Sequence, residues 1–312
     1  MELKKVKDNL PDISIILPVY NGGDFLKASV ESVLQQTFQN FEFLILDDRS
    51  TDGSWEYLQQ LTDERIVLMR NESNKGLFYN LNEMIKKSGS KLIKLWAQDD
   101  IMYPECIYGF VSFHLANPEV GFSYSARDII NDRGELVKSY KPDDTPEIIS
   151  KEKHALISFE YGSIAGNIAN VCITRKAFDK VGLYNEQMKI SADFDMQVRI
   201  AEYFPVGFIR RSLIKLRDHE KQLSRDAKYY IYHVKEDLQV YHHLLGYVND
   251  SLKQEGRKLL RKKKLMFYYT LMLKSFRQGN YDLAKQYYTL LSNFDSMLML
   301  TYNYMKYCVK RL

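Results

Sequence analysis

The first half of the chain alternates short apolar runs with segments of helical period. Ile13-Ser-Ile-Ile-Leu17 reads as a buried strand closed by Pro18. The helix after it sets Leu26, Val30, Val33 and Leu34 on one face, with Asp24 positioned to cap it. Phe41-Glu-Phe-Leu-Ile-Leu46 predicts a second strand, stopped by Asp47 and Asp48. Ser50-Thr-Asp-Gly53 is turn chemistry ahead of a helix near 54–61. A third strand near 65–69, a helix from Gly76 to about Lys87, a fourth strand over 92–96, a helix over about 104–116 and a strand near 120–125 follow. Strands alternating with helices predict an α/β fold with a mostly parallel sheet covered by helices on both faces.

The pattern then loosens. Residues 128–158 are rich in Asp, Lys and Pro and read as a loop or short hairpin. A short strand at 171–174, a short helix at 176–181, a helix over 193–203 and an extended stretch over 206–216 come next. From about Asp226 the pattern is helical and stays so. The expected organisation is a sheet-bearing domain over 1–225 and a helical C-terminal region over 226–312.

Composition narrows the setting. The chain has 312 residues, 45% hydrophobic and 27% charged, an ordinary globular mixture. Cys106, Cys172 and Cys308 are too few and too far apart for a disulfide framework or a metal knuckle, which points to a reducing compartment. The polar first twelve residues lack the apolar core of a signal peptide, and no run approaches the ~18 apolar residues of a membrane span. The expected location is cytoplasmic.

The net charge of +4 conceals an asymmetry: residues 251–312 hold 13 Lys and Arg against 3 Asp and Glu, while the rest of the chain holds 31 against 37. A mildly acidic body carries a strongly basic tail.

The chemistry gathers at strand ends. In an open parallel sheet, ligands bind beyond the carboxyl ends of the strands. Asp47 and Asp48 follow the second strand, Asp99 and Asp100 follow the fourth, and Pro18-Val-Tyr-Asn21 follows the first. One acidic pair is equally well a turn or a cap; two pairs with an aromatic on one edge favour a site. Carboxylates accept hydrogen bonds from a base or a ribose. They also ligate Mg²⁺, which commonly spans one or two carboxylates and substrate phosphates. Tyr20 offers a flat face for stacking a base. Lys75-Gly76 opens a helix whose N-terminus suits phosphate, although a plain helix start reads the same way.

These residues carry a resemblance. Pro18-Val-Tyr-Asn21, Leu46-Asp-Asp-Arg-Ser-Thr-Asp-Gly53 and Gln98-Asp-Asp100 are similar to the ordered motifs of family-2 glycosyltransferases with the GT-A fold. Gly162 to Asn167, Phe178-Asp-Lys-Val-Gly182 and Ala192-Asp-Phe-Asp195 resemble that family's acceptor-side segments. Arg217-Asp-His219 with Gln222-Leu-Ser224 resembles its closing element. The resemblance covers about Ile13 to Ser224.

It implies inverting transfer of a sugar from a nucleotide donor, with UDP the expected nucleotide. The acceptor would be a glycan or lipid-linked hydroxyl, in surface-polysaccharide synthesis. Pro18, Tyr20, Asn21, Asp47, Asp48, Lys75 and Asp99 would hold the donor. Gly166 and Asn167 would meet the acceptor, and Asp193 would be the catalytic base. A divalent cation, Mg²⁺ or Mn²⁺, would be held by Asp99 with Asp100 and His219. Asp193, just inside a helix, has the alternative reading of a first-turn acid, and Asp24 and Asp52 read better as caps than as ligands.

Three positions depart from the family pattern. Arg49 replaces the Gly of Asp-Asp-Gly-Ser, Ala97 replaces the first Asp of Asp-x-Asp, and Ala192 replaces the Glu before the base. The rival reading is a non-catalytic sugar-nucleotide or glycan-binding protein with degenerate motifs. A nucleotidyltransferase would need a Gly-rich basic phosphate loop near the N-terminus. A dehydrogenase would need Gly-x-Gly-x-x-Gly after the first strand, and neither is present.

In the tail, 11 Phe and Tyr lie among the basic residues, and Arg257-Lys-Leu-Leu-Arg-Lys-Lys-Lys264 is the densest charge run. Basic amphipathic helices of this kind can lie on an anionic membrane surface. A packed helical hairpin with a solvated basic face reads equally well and is compatible with that. No nucleic-acid module appears, so no nucleic-acid partner is expected. The expectation is peripheral attachment to the inner face of the plasma membrane.

Overall fold

A computed structural model describes residues 11–219 and 229–309. The Gln222-Leu-Ser224 segment and the expected helix onset at Asp226 lie outside the described residues. The chain divides into two compact units. One holds the described residues up to Ile149 with Asn167–Tyr184 and Phe204–His219. The other holds Ser150–Gly166, Asn185–Tyr203 and the described residues from Tyr229 onward. The second unit thus takes in two segments from the middle of the chain as well as the C-terminal helices.

The first unit is built on one sheet. Strands β1 (Ile13–Val19), β2 (Phe41–Asp47), β3 (Ile66–Arg70) and β4 (Leu92–Leu95) run parallel in the order β3-β2-β1-β4. They alternate with α1 (Leu26–Leu34), α2 (Ser54–Leu58) and α3 (Leu77–Lys87). The sheet continues through β9 (Val171–Thr174), β6 (Phe122–Ile130), β10 (Val206–Arg217) and β5 (Ile101–Met102). β9 runs antiparallel to both neighbours, while β6 and β10 are parallel to each other. Two short strands, β7 (Leu136–Lys138) and β8 (Ile148–Ile149), pair with β6 and β10. Helices α4 (Cys106–Ala116) and α6 (Arg175–Val181) complete the unit.

The alternation of β1 explains its two-sided burial. Ile13, Ile15, Leu17 and Val19 enter one apolar cluster with Val30 and Val33 of α1 and Ile107 and Phe110 of α4. Ser14 and Ile16 point to the other face, where α3 packs on β1 and β2. Trp96 is fully buried just after β4, and its indole N–H donates to Ser29 Oγ at 2.8 Å, as a core tryptophan requires.

The second unit is helical: α5 (Lys151–Tyr161), α7 (Ala192–Ala201), α8 (Tyr230–Tyr247), α9 (Asp250–Lys262), α10 (Lys264–Arg277), α11 (Tyr281–Phe294) and α12 (Met297–Val309). Its core includes Phe159, Val198, Tyr241, Leu260, Tyr268, Tyr287 and Leu291. Several tail aromatics therefore serve packing. Part of the basic run is also engaged, since Arg261 makes a two-pronged bond to Asp295 at 2.6 and 2.8 Å.

Two local expectations are corrected. The stretch expected to be loop or hairpin does contain the β6–β7 hairpin, but it ends in helix α5, capped by Ser150 accepting from the Lys153 N–H. Asp24 does not cap α1; it lies in a 3₁₀ turn at Gly23–Phe25, and no side chain caps that helix. Asp52, by contrast, accepts from the Ser54 N–H at 3.1 Å at the start of α2 and from the Gly23 N–H at 2.8 Å.

Candidate active site

The parallel register brings the ends of β1, β2 and β4 to one sheet edge. Pro18 pairs with Leu46 and Val19 with Asp47, so Tyr20 and Asn21 emerge beside Asp48. The loop carrying Asp99 and Asp100 begins just past Leu95 of β4. Of the expected donor residues, Pro18, Tyr20, Asn21, Asp47, Asp48, Lys75 and Asp99 all belong to this unit.

Their environments differ sharply. Tyr20 is 48% exposed, and its ring is open for stacking. Gln98 pins its backbone from both sides, accepting from the Tyr20 N–H at 2.9 Å and donating to the Tyr20 carbonyl at 3.0 Å. Asn21 accepts from the Thr51 N–H and donates its own N–H to Ser50 Oγ, both at 2.9 Å. Those contacts tie the first loop to the second.

Asp47 and Asp48 are buried. Asp47 is paired with Arg70 at 3.0 Å and also accepts from the Ser50 N–H, while Arg70 lies over the Trp55 ring at 4.6 Å. Asp48 accepts from the backbone N–H groups of Lys75 and Gly76 and from the Asn71 side chain, all at 2.8 Å. The N-terminus of α3 is thus held by a protein carboxylate, and the Lys75 side chain projects into solvent. Gly76 has φ +90° and ψ 163°, a conformation essentially restricted to glycine, and this turn presents the two amides to Asp48. Arg49, next in sequence, sits at φ +67°. The departure from the family glycine therefore falls on a left-handed backbone position.

Asp99 is half-buried, and its Oδ2 lies 2.9 Å from His219 Nε2. Arg217 braces the same loop. Its backbone N–H donates to Asp100 at 2.8 Å, its Nε donates to the Asp99 carbonyl at 2.9 Å, and its guanidinium lies over the Phe25 ring at 4.4 Å. The His219 ring also packs on Phe25, with centroids 5.1 Å apart. Burial, and then the charge of Asp99, push the Asp100 carboxyl well above the usual carboxylate range. Ala97, at the position of the family's first Asp, is half-buried against the core and accepts the Ser29 hydroxyl through its carbonyl.

The metal question turns on this loop. Among the described residues no three His, Cys, Asp or Glu side chains form a group able to hold an ion. Asp100 Oδ2 and His219 Nδ1 are nevertheless buried without hydrogen-bond partners. Asp99 and His219 can supply two neighbouring ligands. That donor set would fit a divalent cation that draws its remaining ligands from substrate phosphate and water, the carboxylate suiting Mg²⁺ or Mn²⁺.

The remaining expected residues lie as follows. Asn167 belongs to the first unit and caps a 3₁₀ turn, accepting from the Ala169 N–H at 2.7 Å. Gly166 belongs to the second unit, with φ +70°. Asp193 is also in the second unit, half-buried in the first turn of α7, where Oδ1 accepts from the Phe194 N–H at 2.8 Å. Burial raises its pKa to about 6, reinforced by the negative charges of Asp237 and Glu236.

Sequence reasoning gave no role to Arg70, Asn71 or Glu236, and it named Gln98 and Arg217 only as members of motifs. Gln98 and Arg217 carried the signal of the motifs they stand in, and Arg70 and Asn71 lie at the end of β3, beside Asp47. Glu236 had no such signal. It accepts the N–H groups of Lys189, Ile190 and Ser191 at 2.9, 3.0 and 2.9 Å from more than forty residues away.

The sequence profile described as "Glycosyl transferase family 2" matches residues 14–182. The chain belongs to that family. A Rickettsia felis protein named an uncharacterized glycosyltransferase is 31% identical over 218 residues, which is 69% of this chain and 35% of that protein. An Escherichia coli UDP-Glc:alpha-D-GlcNAc-diphosphoundecaprenol beta-1,3-glucosyltransferase is 34% identical over 130 residues, covering 42% of this chain and 51% of the relative. The chain therefore spans about a third of the length of its rickettsial relative. Among solved structures, S. aureus TarS in complex with UDP-GlcNAc superposes with a TM-score of 0.62 at 14% identity, covering 80% of this chain and 70% of that one. That likeness concerns the fold.

Proposed function

We propose that this family-2 glycosyltransferase moves a sugar, with inversion, from a UDP-sugar to a hydroxyl of a glycan or lipid-linked acceptor. The observation that carries the reading is the convergence of Tyr20, the buried Asp47–Asp48 pair and the Asp99–His219 pair on one edge of the sheet in the first unit. An open aromatic face, a hydrogen-bonded acidic shelf and a cation-ready pair are what a base, its ribose and a diphosphate require in turn. The E. coli relative named as a UDP-Glc-dependent transferase onto a diphosphoundecaprenol-linked sugar supports UDP and a lipid-linked acceptor.

The chain's residues divide the work. Tyr20 stacks the base. Asp47 and Asp48 set the shape of the nucleoside end, Asp48 by anchoring the loop before α3. A cation held by Asp99 and His219, with Asp100 beside them, would offset negative charge on the departing diphosphate. Asp193 accepts the proton of the acceptor hydroxyl. The acceptor oxygen forms its bond to the anomeric carbon as the bond to the diphosphate breaks on the opposite face, so the anomeric centre inverts. A carboxylate with a pKa of about 6 is mostly ionised at neutral pH yet basic enough for this task. A role in surface-polysaccharide synthesis, at an anionic membrane surface on the inner face of the plasma membrane, follows from the same acceptor class. Among the described residues no helix is long and apolar enough to cross a membrane.

Ala97 and Ala192 motivate the second reading, a sugar-nucleotide binder without transfer. A thermal-shift screen of nucleotide sugars with Mg²⁺ or Mn²⁺ tests the binding that both readings share. Hydrolysis or transfer of the stabilising donor then separates them. No stabilisation by any nucleotide sugar would remove both.

A further inference from the structure

The second unit contains a pocket of about 270 Å³ between α8 and α10. This is close to the lower end of small-molecule sites, about 300 Å³, and suits one small ring rather than an extended ligand. Its walls mix two kinds of surface. Phe267, Tyr230 and Tyr268 are aromatic; Asp237, His233 and Lys264 are polar. Phe267 is 56% exposed at the pocket.

The polar side is built rather than incidental. Asp237 is fixed by two hydroxyl donors, Ser191 Oγ to Oδ1 at 2.7 Å and Tyr268 Oη to Oδ2 at 2.6 Å. A carboxylate has about four acceptor sites, so two remain for a ligand. Lys264 supplies only donors and the imidazole can serve either way. A sugar hydroxyl both gives and accepts, and this set meets both needs. An aromatic face beside such groups matches the apolar C–H face of a pyranose, whose weakly positive hydrogens suit the negative face of a ring. Asp237 disfavours a phosphate here, and Lys264 disfavours a bare cation.

The pocket is tied to the element that carries Asp193. Ser191, which holds Asp237, lies two residues before Asp193, and Glu236, next to Asp237, takes the three N–H groups of Lys189–Ser191. The negative charge of Asp237 also helps raise the Asp193 pKa. Gly162 opens the Gly162–Asn167 segment with φ +88°, and a Cβ there would lie 2.9 Å from Lys264 Nζ. The Lys264 ammonium thus lies against Gly162, within the space a Cβ there would take.

We infer that this pocket is an acceptor subsite: it takes a neutral pyranose ring of the acceptor glycan, stacked on Phe267 and hydrogen-bonded by Asp237, His233 and Lys264. The inference rests on the transferase reading above. It gives the helical region a substrate-binding role and makes acceptor choice a property of α8 and α10.

The test is saturation-transfer NMR on the full chain with methyl glycosides of a hexose, an N-acetylhexosamine, a deoxyhexose and a uronic acid. At least one neutral glycoside should receive saturation from the protein. Phe267→Ala should weaken that binding by about tenfold, and Phe267→Tyr should retain it. UDP-sugar stabilisation in a thermal shift should be unchanged in both variants. No transfer to any neutral glycoside, or transfer indifferent to Phe267→Ala, overturns the subsite. If a UDP-sugar still stabilises the protein in that case, the transferase reading stands alone. If glycosides bind at Phe267 but no nucleotide sugar stabilises the chain, the pocket is a glycan-binding site and the acceptor assignment falls with the transferase reading.

Discussion

Asp99 Oδ2 and His219 Nε2 stand 2.9 Å apart, a carboxylate and an imidazole joined across the loop after β4 and the end of β10. Ligands at about 2.1 Å in an octahedron place neighbouring donor atoms about 3 Å apart, so the pair can exchange its mutual hydrogen bond for a shared cation with little rearrangement. Calorimetry of UDP binding with and without Mn²⁺ should show an affinity gain on adding metal. Asp99→Ala should abolish that gain, and His219→Ala should reduce it. Equal UDP affinity with and without Mn²⁺ in the unaltered protein would remove the cation from the donor site.

Arg49 offers a test of strain. Its φ of +67° places a long, exposed side chain in a region that costs an L-residue about 1–2 kcal/mol relative to glycine. Arg49→Gly should relieve that strain, offset in part by the greater backbone entropy of glycine in the unfolded chain. A net gain of up to about 1 kcal/mol in denaturant unfolding is expected. A loss instead would mean that the guanidinium makes a compensating interaction.

The contrast between Arg49 and Asp48 shows how far the sequence could be read. Strands β1 to β4 were legible because buried parallel strands are continuous apolar runs, and the acidic pairs were legible because such runs end at a common edge. The family glycine marked a left-handed position that Arg49 still occupies. The resemblance gives Asp48 a place at the donor, and its oxygens also meet the amides of Lys75 and Gly76 and the Asn71 side chain, a pairing across the turn into α3 that no local pattern announces. Helix α5 escaped notice because its buried face includes His154 and Ser158 beside Ala155 and Phe159, which blurs the apolar period. Glu236 was invisible for a different reason: it satisfies backbone groups, and backbone donors leave no mark in a sequence.

The C-terminal helices carry the next expectation. Leu298, Tyr302 and Met305 recur at i, i+4 and i+7 on α12 and are all exposed, Leu298 at 85%. Arg257, Lys258, Lys262 and Lys263 are exposed on and after α9. An apolar stripe in a unit with surplus positive charge suits an anionic bilayer, at about 1 kcal/mol per basic residue near the surface. The full chain should sediment with phosphatidylserine-containing vesicles more than with phosphatidylcholine alone, and added salt should weaken the association. Leu298→Glu should reduce it without lowering thermal stability. Equal sedimentation with the two vesicle types would sink the attachment.

Asp193 joins function to stability. Its folded pKa of about 6 lies above the 3.8 of a free carboxyl, so the fold holds the proton more tightly than the unfolded chain does. The sign follows. Stability from this group is fully present below pH 3.8 and is lost as pH rises through 6, which leaves the ionised form a net burden at neutral pH. Asp193→Asn removes that burden. Allowing for partial exposure, the variant should be more stable than the unaltered protein at pH 7 by about 1–2 kcal/mol, with the advantage shrinking towards pH 4. With Asp193 as the proposed base, the same change should also lower turnover by about 10²–10⁴-fold while UDP binding survives. In the unaltered protein kcat/KM for transfer should rise with pH through about 6 and then level. A gain in stability with turnover intact would make Asp193 a first-turn acid and nothing more, whereas a loss of turnover together with a gain in stability is the signature of a carboxylate kept strained for chemistry.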